Sequence, residues 1–192
     1  MKSRATWTAQ YKLNGQRNVI YIDPDLNIQW WNRHQENHRN YTPPKWLEDQ
    51  IREVVKPTGK WVAIDGELLH AKDATIKNTL YWWDVLVHDN EQMLGTSGQE
   101  RLELLYSLTQ QGGKLSENET ADKIADRLTD NIWLARNIKP DRYDESWKLT
   151  EVSYVEGFMF KDMKARLKPM LTEKNNSEWM VRCRKEHKGY QF

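Results

Sequence analysis

Four short segments of the sequence carry ionisable side chains at predicted turns and strand ends, where they could converge on one site. They are YKLNGQR (11–17), AIDGELL (63–69), VEGFMFK (155–161) and WMVRCRK (179–185). Together they provide a lysine, carboxylates and several arginines, residue types that serve as nucleophile, metal ligand and phosphate clamp. Each segment alone also fits an ordinary surface turn, because Asn-Gly and Asp-Gly are common hairpin signals. Their occurrence together, in this order, indicates a functional site.

The order of these segments resembles the motifs of the covalent nucleotidyltransferases, and within them the adenylation domain of ATP-dependent DNA ligases. The family's KxDGxR motif is similar to KLNGQR (12–17), and its DGEL motif is present at 65–68. Its aromatic-Asp motif resembles Trp83-Asp84, and its EGxMxK motif is matched by EGFMFK (156–161). The likeness extends over nearly the whole chain.

Some positions depart from the family pattern. Asn32-Arg33 resembles the SR-type motif only loosely, and Arg182-Cys183-Arg184 stands where the closing KxK motif has lysines. Arginine binds phosphate well but cannot donate a proton at pH 7, so Lys185 is a candidate substitute. Asn14 replaces the usual Asp, which removes a charge beside the predicted nucleophile and shifts the balance from DNA ligases towards RNA ligases.

The resemblance implies one adenylation (nucleotidyltransferase) domain over residues 1–192. The expected fold class is α+β, a ligase-type nucleotidyltransferase (ATP-grasp-like) domain with two antiparallel sheets flanked by helices. Because the sequence ends at Phe192, soon after the last motif, we expect the family's C-terminal oligonucleotide-binding domain to be absent. The chain is then a one-domain ligase, a subunit that needs a separate nucleic-acid-binding partner, or a truncated chain.

By this resemblance, Lys12 is the catalytic nucleophile that takes AMP from ATP. The other catalytic residues hold the α-phosphate, and they are Lys161, Arg182 and Arg184. The residues assigned to nucleotide and phosphate binding are Gln10 and Tyr11 (adenine edge), Trp83 and Met159 (adenine faces), Arg17 and Glu67 (ribose or neighbouring phosphates) and Arg33 (substrate phosphate). The expected cofactors are ATP and Mg²⁺ or Mn²⁺, with the metal assigned to Glu156 and Glu67.

Each assignment also has a purely structural alternative. Trp82 and Trp83 alternate along one strand, so Trp83 could instead be the one that faces the core. Met159 could be core filler, and Arg33 could be a surface arginine. Both glutamates could be ordinary turn carboxylates.

A lysine nucleophile needs a special environment. Free lysine has a pKa of about 10.4, so only about 0.04% of it is neutral at pH 7. Nearby cations disfavour the charged form and lower the pKa of such an amine. A bound Mg²⁺ and the basic residues Arg17, Lys161, Arg182 and Arg184 would provide that field and stabilise a pentavalent phosphate.

The composition favours a folded chain and argues against several functional classes. The chain has 192 residues and a net charge of +1. Its aliphatic residues are few, and its 10 Trp and 8 Tyr supply the apolar area that a core needs. We expect neither a membrane span nor a secretory signal, because no long apolar segment is present. The single cysteine, Cys183, excludes an intramolecular disulfide and suits a reducing, cytoplasmic compartment. No GxGxxG or Walker A motif occurs, so the usual phosphate-binding loops are not expected.

The elements that must position the site are short strands and a few helices. The predicted strands are two at the start joined by an Asn14-Gly15 turn, two over 61–69 hinged at Asp65-Gly66, and one each over 80–87, 131–139, 155–161 and 179–184. The predicted helices are 47–55, a helix capped by Ser97 and Glu100, a helix capped by Ser116 and Glu119 that includes Ile124 and Leu128, and 144–154.

The sequence therefore predicts a monomeric ATP-dependent polynucleotide ligase that seals nicked duplex DNA through lysyl-AMP. Within the same superfamily, the alternatives are an RNA ligase, an RNA–DNA joining enzyme and, less favoured, a GTP-using capping enzyme. The alternative from another class is a non-catalytic nucleic-acid-binding module, whose basic residues between 161 and 188 would follow a phosphate backbone. By analogy, a short chain of this kind suits a virus-encoded enzyme.

Overall fold

The structure, a computed structural model, describes residues 6–38, 41–109, 123–169 and 178–185. Its strands are β1 (Trp7–Leu13), β2 (Gln16–Ile22), β3 (Ile28–Asn32), β4 (Val62–Leu69), β5 (Thr79–His88), β6 (Glu91–Gln92), β7 (Ala125–Arg127), β8 (Ile132–Ala135), β9 (Val155–Asp162) and β10 (Met180–Arg184). Its helices are α1 (Lys45–Val54), α2 (Gly98–Leu108) and α3 (Tyr143–Trp147), with 3₁₀ turns at Pro140–Arg142 and Lys148–Glu151. Within these ranges, none of the helices has the length and apolar character needed to cross a membrane.

The strands form two sheets. The small sheet has the order β1-β9-β10 and is antiparallel throughout. The large sheet has the order β3-β2-β4-β5-β8-β7, with β6 paired to β5. The prediction of two antiparallel sheets is correct for the small sheet, but the large one is mixed because β5 and β8 are parallel. A parallel pair needs a long crossover connection, and the segment containing α2 joins these two strands.

Two apolar layers hold the sheets in place. The first lies between the large sheet and helices α1 and α2, where Leu47, Leu105 and Trp82 are fully buried. The second lies between the two sheets, where Tyr11 of β1 and Phe158 of β9 meet residues of the large sheet. Since the second layer fills only part of the space between the sheets, the remainder is available as a cleft.

The chain passes from the small sheet to the large one at Asn14-Gly15. The prediction of a strand, a turn and a strand is confirmed, but β1 and β2 pair with different sheets. Gly15 is required at this crossing because a Cβ on it would lie 2.4 Å from Cγ of Glu67 and 2.6 Å from the Leu68 carbonyl oxygen. The close approach brings the end of β1 against β4, which is the first step in assembling the site.

Local sequence signals account for the helices. Ser97 accepts a hydrogen bond from the Glu100 amide (3.2 Å), and Glu100 accepts one from the Ser97 amide (2.7 Å), so the predicted capping box is confirmed. Helix α1 follows Pro44 and buries Leu47 and Ile51, which lie one turn apart. The predicted helix over 144–154 is seen as α3 and the 3₁₀ turn that follows it.

Two of the predicted elements are wrong. The segment predicted as two strands over 61–69 contains one continuous strand, β4 (Val62–Leu69), with no hinge at Asp65-Gly66. The irregularity at that point is a bulge in the partner strand β5. Ile124–Leu128 does not form a helix. Its central residues are β7, which is drawn into extended structure by antiparallel pairing with β8. The predicted cap at Ser116 and Glu119 lies outside the described residues. The predicted strands at 80–87, 155–161 and 179–184 are confirmed. The strand predicted over 131–139 is shorter in the structure, where β8 spans only Ile132–Ala135.

Candidate active site

A cleft of about 430 Å³ lies between the two sheets. This volume falls in the range typical of small-molecule sites, about 300–1,000 Å³. Its walls include all of the residues predicted for the site except Glu156 and Arg184, namely Gln10, Tyr11, Lys12, Arg17, Arg33, Glu67, Trp83, Met159, Lys161 and Arg182. Glu156 and Arg184 lie beside Lys12, as described next. The structure therefore brings the predicted residues to one place.

Lys12 is held at the end of β1 by Glu156. It lies opposite Gly157 of β9, and its ammonium donates a hydrogen bond to the Glu156 carboxylate in an ion pair that is mostly shielded from solvent. Leu13 pairs with Val155, so Glu156 is the extra residue of a β-bulge. Without the bulge, Glu156 would share a strand face with the buried side chain of Phe158. The bulge turns the carboxylate towards Lys12 instead.

Glu67 is a second carboxylate in the cleft. It lies on β4 between Arg17 of β2 and Tyr81 of β5. Burial raises the pKa of Glu67 to about 7, although the positive charges of Lys12 and Lys72 oppose the shift. Glu67 is therefore partly protonated at neutral pH in this structure. The sequence motif identified this residue but gave no indication of its protonation state.

Arg17 lies in the cleft wall as part of an ion pair with Asp65. Its Nε and Nη2 donate to the two carboxylate oxygens of Asp65 at 3.0 and 2.7 Å, in a bidentate pair. The guanidinium remains about half exposed, while Asp65 is buried. The sequence motifs predict no role for Asp65, although the residue stands within the DGEL motif.

Trp83 and Met159 lie on opposite walls of the cleft, one in each sheet. Asp65 pairs with Asp84 and Gly66 with Trp82, so Trp83 is the extra residue of a second β-bulge. Trp82 is fully buried in the layer under α1 and α2, whereas Trp83 is partly exposed in the cleft. Of the two orientations left open by the sequence, the structure has Trp83 on the cleft face. A flat aromatic group between Trp83 and Met159 would contact both side chains.

Lys161 lies deeper in the cleft than Lys12. It pairs with Thr8, four residues from Lys12 along β1, and its ammonium donates to Oε1 of Gln10 at 2.6 Å. It also lies 5.7 Å from the centre of the Trp83 ring. Burial lowers the pKa of Lys161 to about 8, against the attraction of Asp84 and Asp65. In this structure the Lys161 ammonium therefore lies near Gln10 and Trp83, two of the residues predicted to contact the base.

The predicted adenine-edge residues are held differently from each other. The Gln10 amide nitrogen donates to Oδ1 of Asn137 at 3.1 Å, so Gln10 links Asn137 to Lys161 within the cleft wall. The Tyr11 hydroxyl donates to the Ser146 carbonyl oxygen at 2.9 Å in the layer between the sheets. The Tyr11 ring consequently belongs to the core between the sheets.

Exposed basic residues line the rim of the cleft. Arg182 and Arg184 lie on β10, and Arg33 follows β3. Nε of Arg184 lies 3.5 Å from Oε2 of Glu156, so Arg184 and Lys12 share this carboxylate. Lys185, the suggested substitute for a family lysine, donates instead to the Thr150 carbonyl oxygen at 2.5 Å. Its ammonium is thus engaged by the backbone.

The carboxylates of the cleft fit a phosphate-bound magnesium ion but not a metal site formed by the protein alone. Within the described ranges, no three His, Cys, Asp or Glu residues converge in a way that could hold a metal. Mg²⁺ is usually held by one or two carboxylates together with substrate phosphates. Glu156, with Glu67 across the cleft, provides this kind of donor set.

The fold is similar to that of several solved ligases. The structure named Pmar-Lig_Pre matches with a TM-score of 0.62 and 18% identity, over 96% of this chain and 43% of the other. A mycobacterial DNA ligase D complexed with ATP and MES matches with a TM-score of 0.55 and 18% identity, over 85% and 50%. A structure of Lig E DNA ligases matches with a TM-score of 0.56 and 17% identity, over 94% and 62%. The fold is that of a DNA-ligase nucleotidyltransferase domain.

The likeness to the DNA-ligase domain is one of fold. The chain spans about half the length of the ligases that it matches, between 43% and 62% in these three cases. No family model and no curated protein matches the sequence. The expected α+β class and the expected ligase-type domain are both confirmed by these structural matches.

The raised pKa of Glu67 predicts a pH-dependent cost to stability. The folded state binds the Glu67 proton more tightly than the unfolded state, so stability falls as the pH rises from about 4.5 through about 7. We expect Glu67→Gln to stabilise the protein by about 1–3 kcal/mol at pH 8 and to have little effect at pH 4. Urea denaturation at several pH values measures this difference.

The matched control is Glu151→Gln, which replaces an exposed glutamate. Its unfolding free energy should follow the wild-type pH profile. A Glu67→Gln profile parallel to that of the wild type would show that burial does not perturb Glu67.

Proposed function

We propose that this protein is an ATP-dependent polynucleotide ligase that works through a covalent lysyl-AMP intermediate on Lys12, with nick sealing in duplex DNA as its reaction. The observation that carries the proposal is the position of Lys12. Its amine lies beside Glu156, in a cleft whose walls also present Glu67, Trp83 and Met159. The similarity of the fold to DNA ligases, one of them complexed with ATP, supports the proposal.

The cleft offers distinct surroundings for each part of a nucleotide. Trp83 and Met159 would sandwich the base, and Gln10 and Lys161 would meet its polar edge. An ionised Glu67 would accept hydrogen bonds from the ribose hydroxyls. The phosphates would then extend towards Lys12 and the arginines of the rim. The ATP complex of the mycobacterial ligase of the same fold supports ATP as the nucleotide.

The first step joins AMP to Lys12. The ammonium of Lys12 first loses a proton to solvent, after which its nitrogen attacks the α-phosphorus of ATP, and a second proton leaves the nitrogen as the phosphoramidate forms. An N–P bond forms as the P–O bond to the β-phosphate breaks, and pyrophosphate leaves. Arg182 and Arg184, on the strand next to Glu156, would bind the charge that develops on the phosphate oxygens.

Glu156 and Glu67 are the residues that would hold Mg²⁺ in this state. When bound, the ion would neutralise phosphate charge and polarise the P–O bond. Any cation that competes for Glu156 would also loosen the hold of this carboxylate on Lys12, because both contact the same group.

Two further transfers would complete the reaction. An oxygen of a 5′-phosphate attacks the lysyl-AMP phosphorus, the N–P bond breaks, and Lys12 regains its amine. The 3′-hydroxyl then attacks the activated 5′-phosphorus, a phosphodiester forms, and AMP leaves. Arg33 and Arg182, both exposed and both lining the cleft, are placed to bind the 5′-phosphate.

Self-adenylation is the direct test of this proposal. With α-labelled ATP and Mg²⁺, the wild type should acquire label that survives denaturation, and Lys12→Ala should acquire none because the attacking nitrogen is gone. Labelled protein on a denaturing gel is the measurement. Lys60→Ala, which removes an exposed lysine paired with Asp89, serves as the control and should label like the wild type.

A wild type that stays unlabelled across metals and pH would overturn the catalytic proposal. Salt-sensitive binding of nicked DNA without any label would instead favour the second candidate, a non-catalytic nucleic-acid-binding module. The observation that favours this candidate is the row of exposed arginines on β10 beside the cleft.

A panel of nicked duplexes with every combination of DNA and RNA strands tests the substrate. We expect ATP-dependent sealing to be fastest on all-DNA nicks, as the matched DNA ligases suggest. Faster sealing of RNA strands would assign the chain to RNA or RNA–DNA joining, in line with Asn14 in place of the family's Asp. Labelling by GTP in place of ATP would indicate a capping enzyme.

A further inference from the structure

The position of Trp83 depends on something other than strand pairing. Asp65 and Gly66 of β4 are neighbours, yet they pair with Asp84 and Trp82, so Trp83 has no partner on β4. A bulged residue is outside the regular ladder, and its direction is set by the contacts made around it. The Trp83 ring meets that of Tyr81, with the ring centroids 6.1 Å apart, and the next residue in the chain, Asp84, is fixed by a buried ion pair.

Asp84 is clamped by Arg101 of α2. The Arg101 side chain is almost completely buried, and its Nε and Nη2 donate to the two Asp84 carboxylate oxygens at 2.7 and 3.0 Å. Its Nη1 donates to the Thr96 carbonyl oxygen at 2.7 Å. The Val85 amide also donates to Asp84 at 2.9 Å. The carboxylate beside Trp83 is thereby fixed to both the helix and the strand.

The ion pair between Arg101 and Asp84 also offsets the repulsion between two neighbouring carboxylates. Asp84 lies directly across from Asp65, and like charges at such a cross-strand pair repel each other. Arg17 pairs with Asp65 and Arg101 pairs with Asp84, so each carboxylate has its own guanidinium. Asp84 attracts Lys161 as well, whose ammonium lies 5.7 Å from the Trp83 ring centre. Arg101 thus connects the helix layer to the charges of the cleft.

We propose that Arg101 is a positioning residue for nucleotide binding: by clamping Asp84 it fixes the bulge that holds the Trp83 ring on the cleft wall. The inference rests on the proposed function, because it takes the base of the nucleotide as the group that contacts Trp83. Arg101 itself lies outside the cleft lining and acts through Asp84 and Trp83.

A double-mutant cycle tests the coupling between Arg101 and Trp83. Arg101→Lys keeps the positive charge but cannot form the bidentate pair. We expect it to weaken ATP binding, measured by equilibrium dialysis, by about tenfold, the scale of one base–aromatic contact. In a Trp83→Ala background, the same substitution should change the affinity by less than about twofold, because the contact that it positions is already lost.

A second readout does not depend on nucleotide. The near-ultraviolet circular dichroism of the wild type minus that of Trp83→Phe isolates the signal of an ordered Trp83 ring. That difference should be lost when Arg101 is replaced by Lys. Asp84→Asn removes the other half of the clamp and should act in the same way if Arg101→Lys does not fold.

The control is Ile51→Val, which loosens the packing of α1 in the same apolar layer without touching the clamp. It should leave both readouts unchanged. An Arg101→Lys effect of equal size with and without Trp83, or an unchanged circular dichroism difference, would overturn the inference. A wild type that binds no ATP but shows the expected circular dichroism result would overturn the proposed function and leave the role of Arg101 in positioning Trp83 supported.

Discussion

Two β-bulges govern the site, because each breaks the regular alternation of side chains between the faces of a strand. In the small sheet, the bulge frees Glu156 to reach Lys12, while Val155 and Phe158 stay in the apolar layer. In the large sheet, the bulge at Trp83 lets the consecutive residues Trp83 and Asp84 both line the cleft, while Trp82 and Val85 stay in the apolar layer under the helices. A regular ladder would place the Glu156 carboxylate on the apolar face with Phe158, where it would be costly to keep ionised. The irregular pairings are therefore what allow two ordinary sheets to form a polar cleft.

Most of the charged side chains in and beside the cleft are paired with opposite charges of the protein itself. Lys12 pairs with Glu156, Arg17 with Asp65 and Arg101 with Asp84, so each of these charges meets an opposite one. The attraction within each pair offsets part of the desolvation free energy of placing these charges between the sheets. It also means that an arriving phosphate must compete with a carboxylate for the cations of the wall. The arginines of the rim are exposed and remain hydrated, so they are suited to make the first contact with an arriving phosphate.

The sequence identified most of the strands and the members of the cleft, because motif order and local turn signals carry that information. The capping box at Ser97 and the strand at 155–161 were correct for this reason. The remaining features depend on contacts with residues that are distant in sequence. Residues 125–127 form a strand because β8 lies beside them, and the local sequence pattern does not indicate which strand they pair with. The position of Lys161 on Gln10, and the clamp of Asp84 by Arg101, depend on contacts between residues distant in sequence.

The most direct measurement is the location of the nucleotide on the protein. After incubation with ATP and Mg²⁺, peptide mapping by mass spectrometry should find AMP on the peptide that contains Lys12. The bond should be a phosphoramidate, stable to base and cleaved by acid. AMP attached to any other side chain, or a wild-type protein that carries none under conditions where it binds ATP, would contradict the account of this cleft as the site of a lysine nucleophile.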